Sequence, residues 1–546
     1  MKSIIVCFLS LLLCYHSSFA QTWQWVKHGG SSSLDYANSI CTDPNGNVYV
    51  MGDFGYFFPS GGPISFDSQS AADNGVNQLF LVKYSSTGTV LWVKSIGGLN
   101  SNNGSCSNCE QTYGMCYDPI TKSIYMTGQF FGSANFGTTN LFGYGNMFFT
   151  RIDQNGNVVW AKAYGNIGVN LYSKVSSDQQ GFIYLSGLTN DTVYFDSVHV
   201  PQGSFWVKFD STGLALNGKI ISADAYTGRL KFNNHSIYSI FSSSNDTIVI
   251  DTVQIVSGTA HNIILAKFDS SLNVQWVTSI SSNYTSILDG DFDIDDEGNS
   301  YITAGFNSDV EFGSVTMTSS SVSDFFVVKY DSLGNYVWSR QGNSSNIANT
   351  SPISTTSNGD TYVLGGFIGD LNFGTYSISS TVDPENFVVR YNSSGNCLGA
   401  VQLGQATRGK LATDQAGSLI VAGQFDYPTY QLGGFTLTNS GTSDIFIAKH
   451  DVIDGISELG RLGQAELLIY ANPNAGKCTI EIPDDFNTDT KLDLKIFDNT
   501  GRLIQSKEII ISNNQIHLEL EAEAKGIYNV KLSNRKKTYS GKIIFE

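Results

Sequence analysis

Basic charge is scarce in this chain of 546 residues. Lys and Arg number 31 against 48 Asp and Glu, a formal net charge of −17. That shortage excludes a partner held through a phosphate backbone, which needs a clustered basic surface, so no nucleic acid is expected. Cysteine is also sparse: outside the leader only Cys41, Cys106, Cys109, Cys116, Cys397 and Cys478 occur. Their scatter excludes a disulfide framework. Past the leader, no apolar run approaches the roughly 20 residues a membrane-spanning helix requires, so no transmembrane segment is expected. Catalytic signatures are missing as well. His28, His199, His235, His261, His450 and His517 stand alone, with no HExxH and no GxSxG. GLALNGKI (213–220) and GQATRGKL (404–411) have the outline of a phosphate loop. Both lack the Ser or Thr that holds magnesium, and both fall in strand-like sequence. The expectation is a protein that is not an enzyme and has no cofactor or resident metal.

What is present begins with a leader. Met1 and Lys2 give a short positive start, residues 4–14 are apolar apart from Ser10, and Ser18, Phe19 and Ala20 precede Gln21. Residues 1–20 read as a secretory signal. At the other end the composition steps. Residues 467–546 hold 11 basic and 11 acidic groups, whereas the first 466 residues hold 20 and 37. The step predicts a linker over 452–466 and a separate domain over 467–546.

Between them the sequence repeats. DPNGNVYVMGDF (43–54) returns in recognisable form near 118, 178, 233, 295, 357 and 414. A second phrase, KYDSLGNYVW (329–338), has versions ending at Trp92, Trp160 and Trp276. Alternating apolar residues and Gly/Asn turns give at least four strands per copy. Four-stranded units repeated seven times predict an all-β, seven-bladed propeller over 21–451, because radial packing leaves only short edges. The array opens with a lone strand, TWQWVK (22–27), and its last copy lacks an outer strand. The N-terminal strand is therefore expected to close the ring.

Counting back from each turn locates the innermost strands. Ile40, Met115, Val175, Leu230, Phe292, Ile353 and Leu411 are predicted to be buried, and their alternate neighbours to face the channel. Those neighbours are small except for Lys174, Arg229, Lys231, Asp291, Asp293 and Lys410, the candidate binding residues. Asp289, Asp291, Asp293 and Asp295 alternate, so on one strand they share a face. A calcium loop fits poorly, since Asp296 stands at the glycine position and Ile302 at that of the closing glutamate. Ion pairs with Arg229 and Lys231 of the adjacent copy are expected, with a cation or polar-ligand site as the alternative. Cys106 and Cys109 lie in a Ser/Asn/Gly-rich loop and are expected to form a local disulfide after export.

Four resemblances add to this reading. GNVYV and FVVKYDSLGNYVW are similar to the SBBP-type β-propeller repeats of secreted bacterial proteins, a resemblance that covers residues 21–451 and implies architecture, not activity. Asn217 and Gly399 stand where that pattern has Trp. KYDSLGNYVW is also similar to the Asp-box of sialidases, with both intervals one residue longer; the motif is structural in that family too. IYANPNAGKCTIEI (469–482), LKIFDNTGRLIQ (494–505) and GIYNVKL (526–532) resemble the type A C-terminal sorting domain of the type IX secretion system. Asn472, Pro473, Gly476, Gly501, Gly526 and Tyr528 carry the match. It implies a Bacteroidota-type organism, contact with the type IX machinery, and a secreted or surface-attached product. Alternating Leu492, Leu494 and Ile496 predict a small β-sandwich for this tail. Asp-Thr-Val at 191 and 251 and Asp-Thr-Ile at 246 resemble the O-glycosylation triplet of that phylum. The expected function is binding or adhesion to an extracellular glycan or protein. The alternatives are a polysaccharide hydrolase or lyase and a structural component of a surface layer.

Overall fold

A computed structural model describes residues 23–545, apart from 56–61, 74–77, 98–109, 166–172, 223–225, 246, 257–260, 283–289, 375, 381–383, 454, 458–466, 468, 475, 484–485, 487–490, 498–502, 512–514, 521–524 and 535–537. The described residues are strands and turns with no α-helix. They divide into two compact units between Leu459 and Gly460.

The first unit repeats one antiparallel sheet, and its architecture is that of a β-propeller. Tyr36–Thr42, Val48–Phe54, Gln78–Tyr84 and Val90–Ile96 pair in chain order. Sheets of the same order start at Glu110–Asp118, Lys174–Ser177, Tyr226–Asn233, Asp291–Ile294 and Ile347–Thr355. The last set, Thr407–Thr413, Leu419–Phe425 and Asp444–His450, takes its fourth strand from Trp23–Gly30, with Trp25 opposite Lys449 and Val26 opposite Ala448.

The two middle strands of a sheet are buried along their whole length, as in Val48–Phe54 and Gln78–Tyr84, because each packs on a neighbouring sheet through both faces. On the innermost strands Met115, Val175, Leu230, Phe292, Ile353 and Leu411 are buried, while Ile40 is half-buried. The hairpin between second and third strands behaves differently from its place in the sequence copy. Asp309–Phe312 joins the outer strand Val274–Ser282 of the preceding sheet, with Ser281 opposite Glu311, and Asp370–Phe373 joins Tyr336–Ser344 in the same way. These excursions thus lap onto their predecessors, whereas those at 193–200, 247–256 and 429–438 form separate two-stranded sheets. Gly455–Ser457, within the stretch read as linker, pairs in parallel with Cys397–Gly404 and belongs to the first unit.

The recurring phrase is the joint between sheets. In KYDSLGNYVW one Asp331 oxygen accepts from Leu333 N and Asn335 N, both at 2.9 Å, and the other from Asn335 Nδ2 at 3.0 Å, which closes the turn. Trp338 Nε1 donates to Ser393 O at 3.1 Å, a carbonyl in the next copy's turn. Trp25, Trp92, Trp160 and Trp276 donate likewise to Ser86, Gln154, Ser211 and Ser332. Gly395 shows why the turn needs glycine: its φ is +77° and a Cβ would sit 2.7 Å from the Trp338 ring.

The second unit has its own core, in which Ile480, Leu494, Ile496, Leu518, Val530, Leu532 and Ile543 are buried. One sheet orders Ile469–Tyr470, Lys477–Glu481 and Gln515–Glu519. The other orders Leu503–Ile510, Lys491–Phe497, Gly526–Ser533 and Thr538–Phe545. Alternation along Lys491–Phe497 puts Leu492, Leu494 and Ile496 into the core and Lys491, Asp493 and Lys495 outward.

Candidate binding channel

The innermost strands surround a cavity of about 950 Å³. It reaches from the turns at 178–180, 233–235 and 295–296 inward to Ser39, Gly114, Lys174 and Arg229. Repetition makes the wall: each strand presents one residue two positions before the turn and another four before it. The outer of these layers holds Cys41, Cys116, Ser176, Lys231, Asp293, Ser354 and Ala412. Of the inner layer, Ser39, Gly114, Lys174 and Arg229 line the cavity, and Asp291, Pro352 and Lys410 hold the equivalent positions of their strands without lining it.

Charges meet differently in the two layers. Lys231 Nζ lies 2.6 Å from Asp293 Oδ1, and Asp293 Oδ2 accepts from Thr355 N at 2.9 Å. This is the inter-sheet pair read from sequence, and it is locally complete. Arg229 and Asp291 do not form the second pair. Asp291 instead accepts from Phe292 N at 2.9 Å and Ile353 N at 3.4 Å. Lys174 Nζ donates to Tyr113 O at 2.8 Å. Burial pushes the Lys174 ammonium down to about 8, helped by the nearby Arg229 and Lys410 charges and opposed by Asp291. Lys410 is lowered too, first by burial and then by Arg229, with Asp291 opposing and Arg408 adding.

Asp295 leaves the row of acids read along this strand. It is the turn aspartate, accepting from Glu297 N, Asn299 N and Tyr301 OH at 3.0, 2.9 and 3.0 Å. Asp289 lies outside the described residues. The four carboxylates therefore do not line one face as a set. Among the described residues no group of three or more His, Cys, Asp or Glu is placed to hold a metal ion.

Sequence reading missed two things. Register shifts interrupt five inner strands at or just ahead of the inner layer, between Ala37 and Ser39, Thr112 and Gly114, Thr227 and Leu230, Thr350 and Ile353, and Thr407 and Lys410, and Arg229 and Pro352 stand inside theirs. Bulges re-aim the side chains that follow them. Inside the last one stands Arg408, at φ +51° with its guanidinium 4.6 Å from the centre of the Tyr36 ring. An added residue shifts register without changing the apolar pattern around it, so these bulges leave no sign in the sequence.

The cysteine candidates divide. Cys106 and Cys109 lie outside the described residues. Cys41, Cys116, Cys397 and Cys478 are free thiols, and burial raises the first two well above the ordinary thiol range. A second cavity, of about 540 Å³, is lined by His28, Ser31, Asp67 and Ser440 among others. Beside it His28 Nε2 and Asp444 Oδ2 are 2.5 Å apart, and Asp35 is pushed up to about 6 by burial, despite hydrogen bonds from Ser31.

In the tail, Asn472 clamps the closing strand. Its Nδ2 donates to Lys542 O at 2.6 Å and its Oδ1 accepts from Ile544 N at 2.7 Å. Gly476 takes φ +98° and donates its N–H to Asn474 Oδ1 at 2.8 Å. Tyr528 is buried in the core, Pro473 follows Asn472 in the same turn, and nothing crowds Gly526. Gly501 lies outside the described residues.

Residues 468–546 match the family described as the secretion system C-terminal sorting domain. The tail is a sorting domain. It directs export by type IX secretion, through contact with that machinery, to the cell surface or extracellular space. Residues 28–53 match the β-propeller repeat family. An uncharacterized WD repeat-containing protein of Acanthamoeba polyphaga mimivirus is 22% identical over 384 residues, 64% of this chain and 25% of that protein. The chain thus spans about a quarter of the length of that relative. Among solved structures, the Dos1 propeller aligns at 9% identity and a TM-score of 0.39 over 80% of this chain and 97% of its own. The Cps50 (Swd1) β-propeller domain of Myceliophteria thermophila aligns at 8% and 0.39, over 72% and 96%.

Proposed function

We propose that the mature protein is a seven-bladed β-propeller, followed by a β-sandwich sorting domain, that serves as a binding or adhesion module at the cell surface or beyond it. Its ligand is an extracellular glycan or protein, and it performs no catalysis of its own. One observation carries this reading. The residues that recur from copy to copy are consumed by the frame, whereas the copies diverge in the charged wall of the 950 Å³ cavity. Rigid repeats that hold a variable concave surface suit recognition.

The purified mature chain, residues 21–546, tests it on a glycan array run beside a polysaccharide-degradation screen. Binding with no new reducing ends is the expected outcome. Release of reducing ends would establish the hydrolase or lyase reading in its place.

A further inference from the structure

The inner layer of the channel gathers like charges. Lys174 and Arg229 line the cavity from neighbouring sheets, and Lys410 and Asp291 hold the equivalent positions of their own strands, so three positive groups stand with one negative in this layer of a chain whose total is −17. Lys174 uses one N–H on Tyr113 O. Among the described residues no hydrogen bond or ion pair engages the Arg229 guanidinium or the Lys410 ammonium. Asp291 is occupied by two backbone N–H groups. The fold gains nothing from three cations pressed together; their repulsion and desolvation lower the affinity of Lys174 and Lys410 for protons. Two of the bulged strands, those with shifts at Thr227/Leu230 and Thr407/Lys410, deliver Arg229 and Lys410 to this layer, and the second holds Arg408 at φ +51°. Backbone strain clusters at functional sites, and here it stands beside charge that no ion pair among the described residues takes up.

We propose that this layer binds an oxyanion, a carboxylate, sulfate or phosphate group, between Arg229, Lys174 and Lys410. The guanidinium supplies a planar fork for two oxygens, and the two ammonium groups flank it as point charges. Asp291 faces the cluster from Asp291–Ile294 and selects against a second anion; the outer pair Lys231 and Asp293 is neutral and leaves the excess in place. The cavity above has room for a chain end of an acidic glycan as well as for a free ion. This inference rests on the binding reading above and names the chemistry of the ligand.

Calorimetric titration of the mature chain decides it, using sodium sulfate, a uronate-bearing tetrasaccharide and a neutral tetrasaccharide at matched ionic strength. Saturable sulfate binding is expected near pH 7. It should weaken on the order of tenfold in R229Q and in K410Q, each checked by circular dichroism, since each removes a charge-assisted contact. In the unaltered chain it should also weaken towards about pH 9, because Lys174 loses its proton as pH rises through about 8. A uronate ligand tighter than sulfate assigns the site to an acidic glycan; one no tighter assigns it to a small anion. Absence of saturable sulfate binding, or binding unchanged in both variants, overturns the proposal. Neutral-glycan binding with sulfate silent would overturn the oxyanion site alone and leave the binding module standing.

Discussion

An indole and a glycine from adjacent sheets share one space, and each restricts the other. Trp338 is 7% exposed and lies against Gly395, whose missing side chain makes room for the ring. The exceptions support the pairing. Where Asn217 replaces the Trp, the matching turn carries Leu272 at φ +68° in place of glycine, buried, while Lys219 Nζ keeps the bond to Leu272 O at 3.0 Å that Lys162 makes to Gly213 O at 2.7 Å in a Trp-bearing copy. Where Gly399 replaces it, Gly455 pairs alongside. Gly395→Ala should therefore cost more than its φ alone. The left-handed conformation costs an alanine about 1–2 kcal/mol, and overpacking against the indole adds about 1–3 kcal/mol. Gly374→Ala, at φ +80° with open space around it, should show only the first part. Denaturant unfolding of the two variants measures the difference; equal losses would refute the indole contact as the cause. The position of the Trp was legible in the sequence as a repeat. Its partner was not, because the glycine lies 53 to 64 residues further on and reads there as an ordinary turn residue.

Elements divide between those that local pattern specifies and those that need a neighbour. Period-2 alternation, turn residues and a missing outer strand predicted that TWQWVK would complete the last sheet, and Trp23–Gly30 pairs with Asp444–His450. Loss of that strand leaves the apolar edge of Asp444–His450 uncovered. A mature chain that lacks residues 21–30 should self-associate on size exclusion and unfold at lower temperature than the full chain. Unfolding at the same temperature as a monomer would show that the closure contributes little. The bulges in the inner strands were invisible, since an added residue changes register without changing composition. So was the lap of such excursions as Asp309–Phe312 onto the preceding sheet: Glu311 meets Ser281 only across two copies.

At the scale of the molecule, two separate hydrophobic cores follow from the composition step. Residues 467–545 bury their own cluster around Ile480, Leu494, Val530 and Ile543, and the first unit buries its clusters between successive sheets. Each unit is large enough to fold on its own terms. Scanning calorimetry of the mature chain should therefore resolve two transitions, and residues 460–546 expressed alone should give dispersed amide resonances. A collapsed spectrum for that fragment would overturn independence. The sequence by itself determined the repeat, the buried positions, the turn chemistry and the sorting tail, because these depend on neighbours within a dozen residues. Only the tertiary structure decided which channel charges meet. Lys231 found Asp293, while Arg229 and Lys410 gained no ion pair among the described residues and share with Lys174 the single carboxylate of their layer, Asp291, because lateral contact is set by register and bulges in strands from separate copies. Of the six charges read as channel residues, Lys174, Arg229, Lys231 and Asp293 line the cavity, and their pairing was not legible.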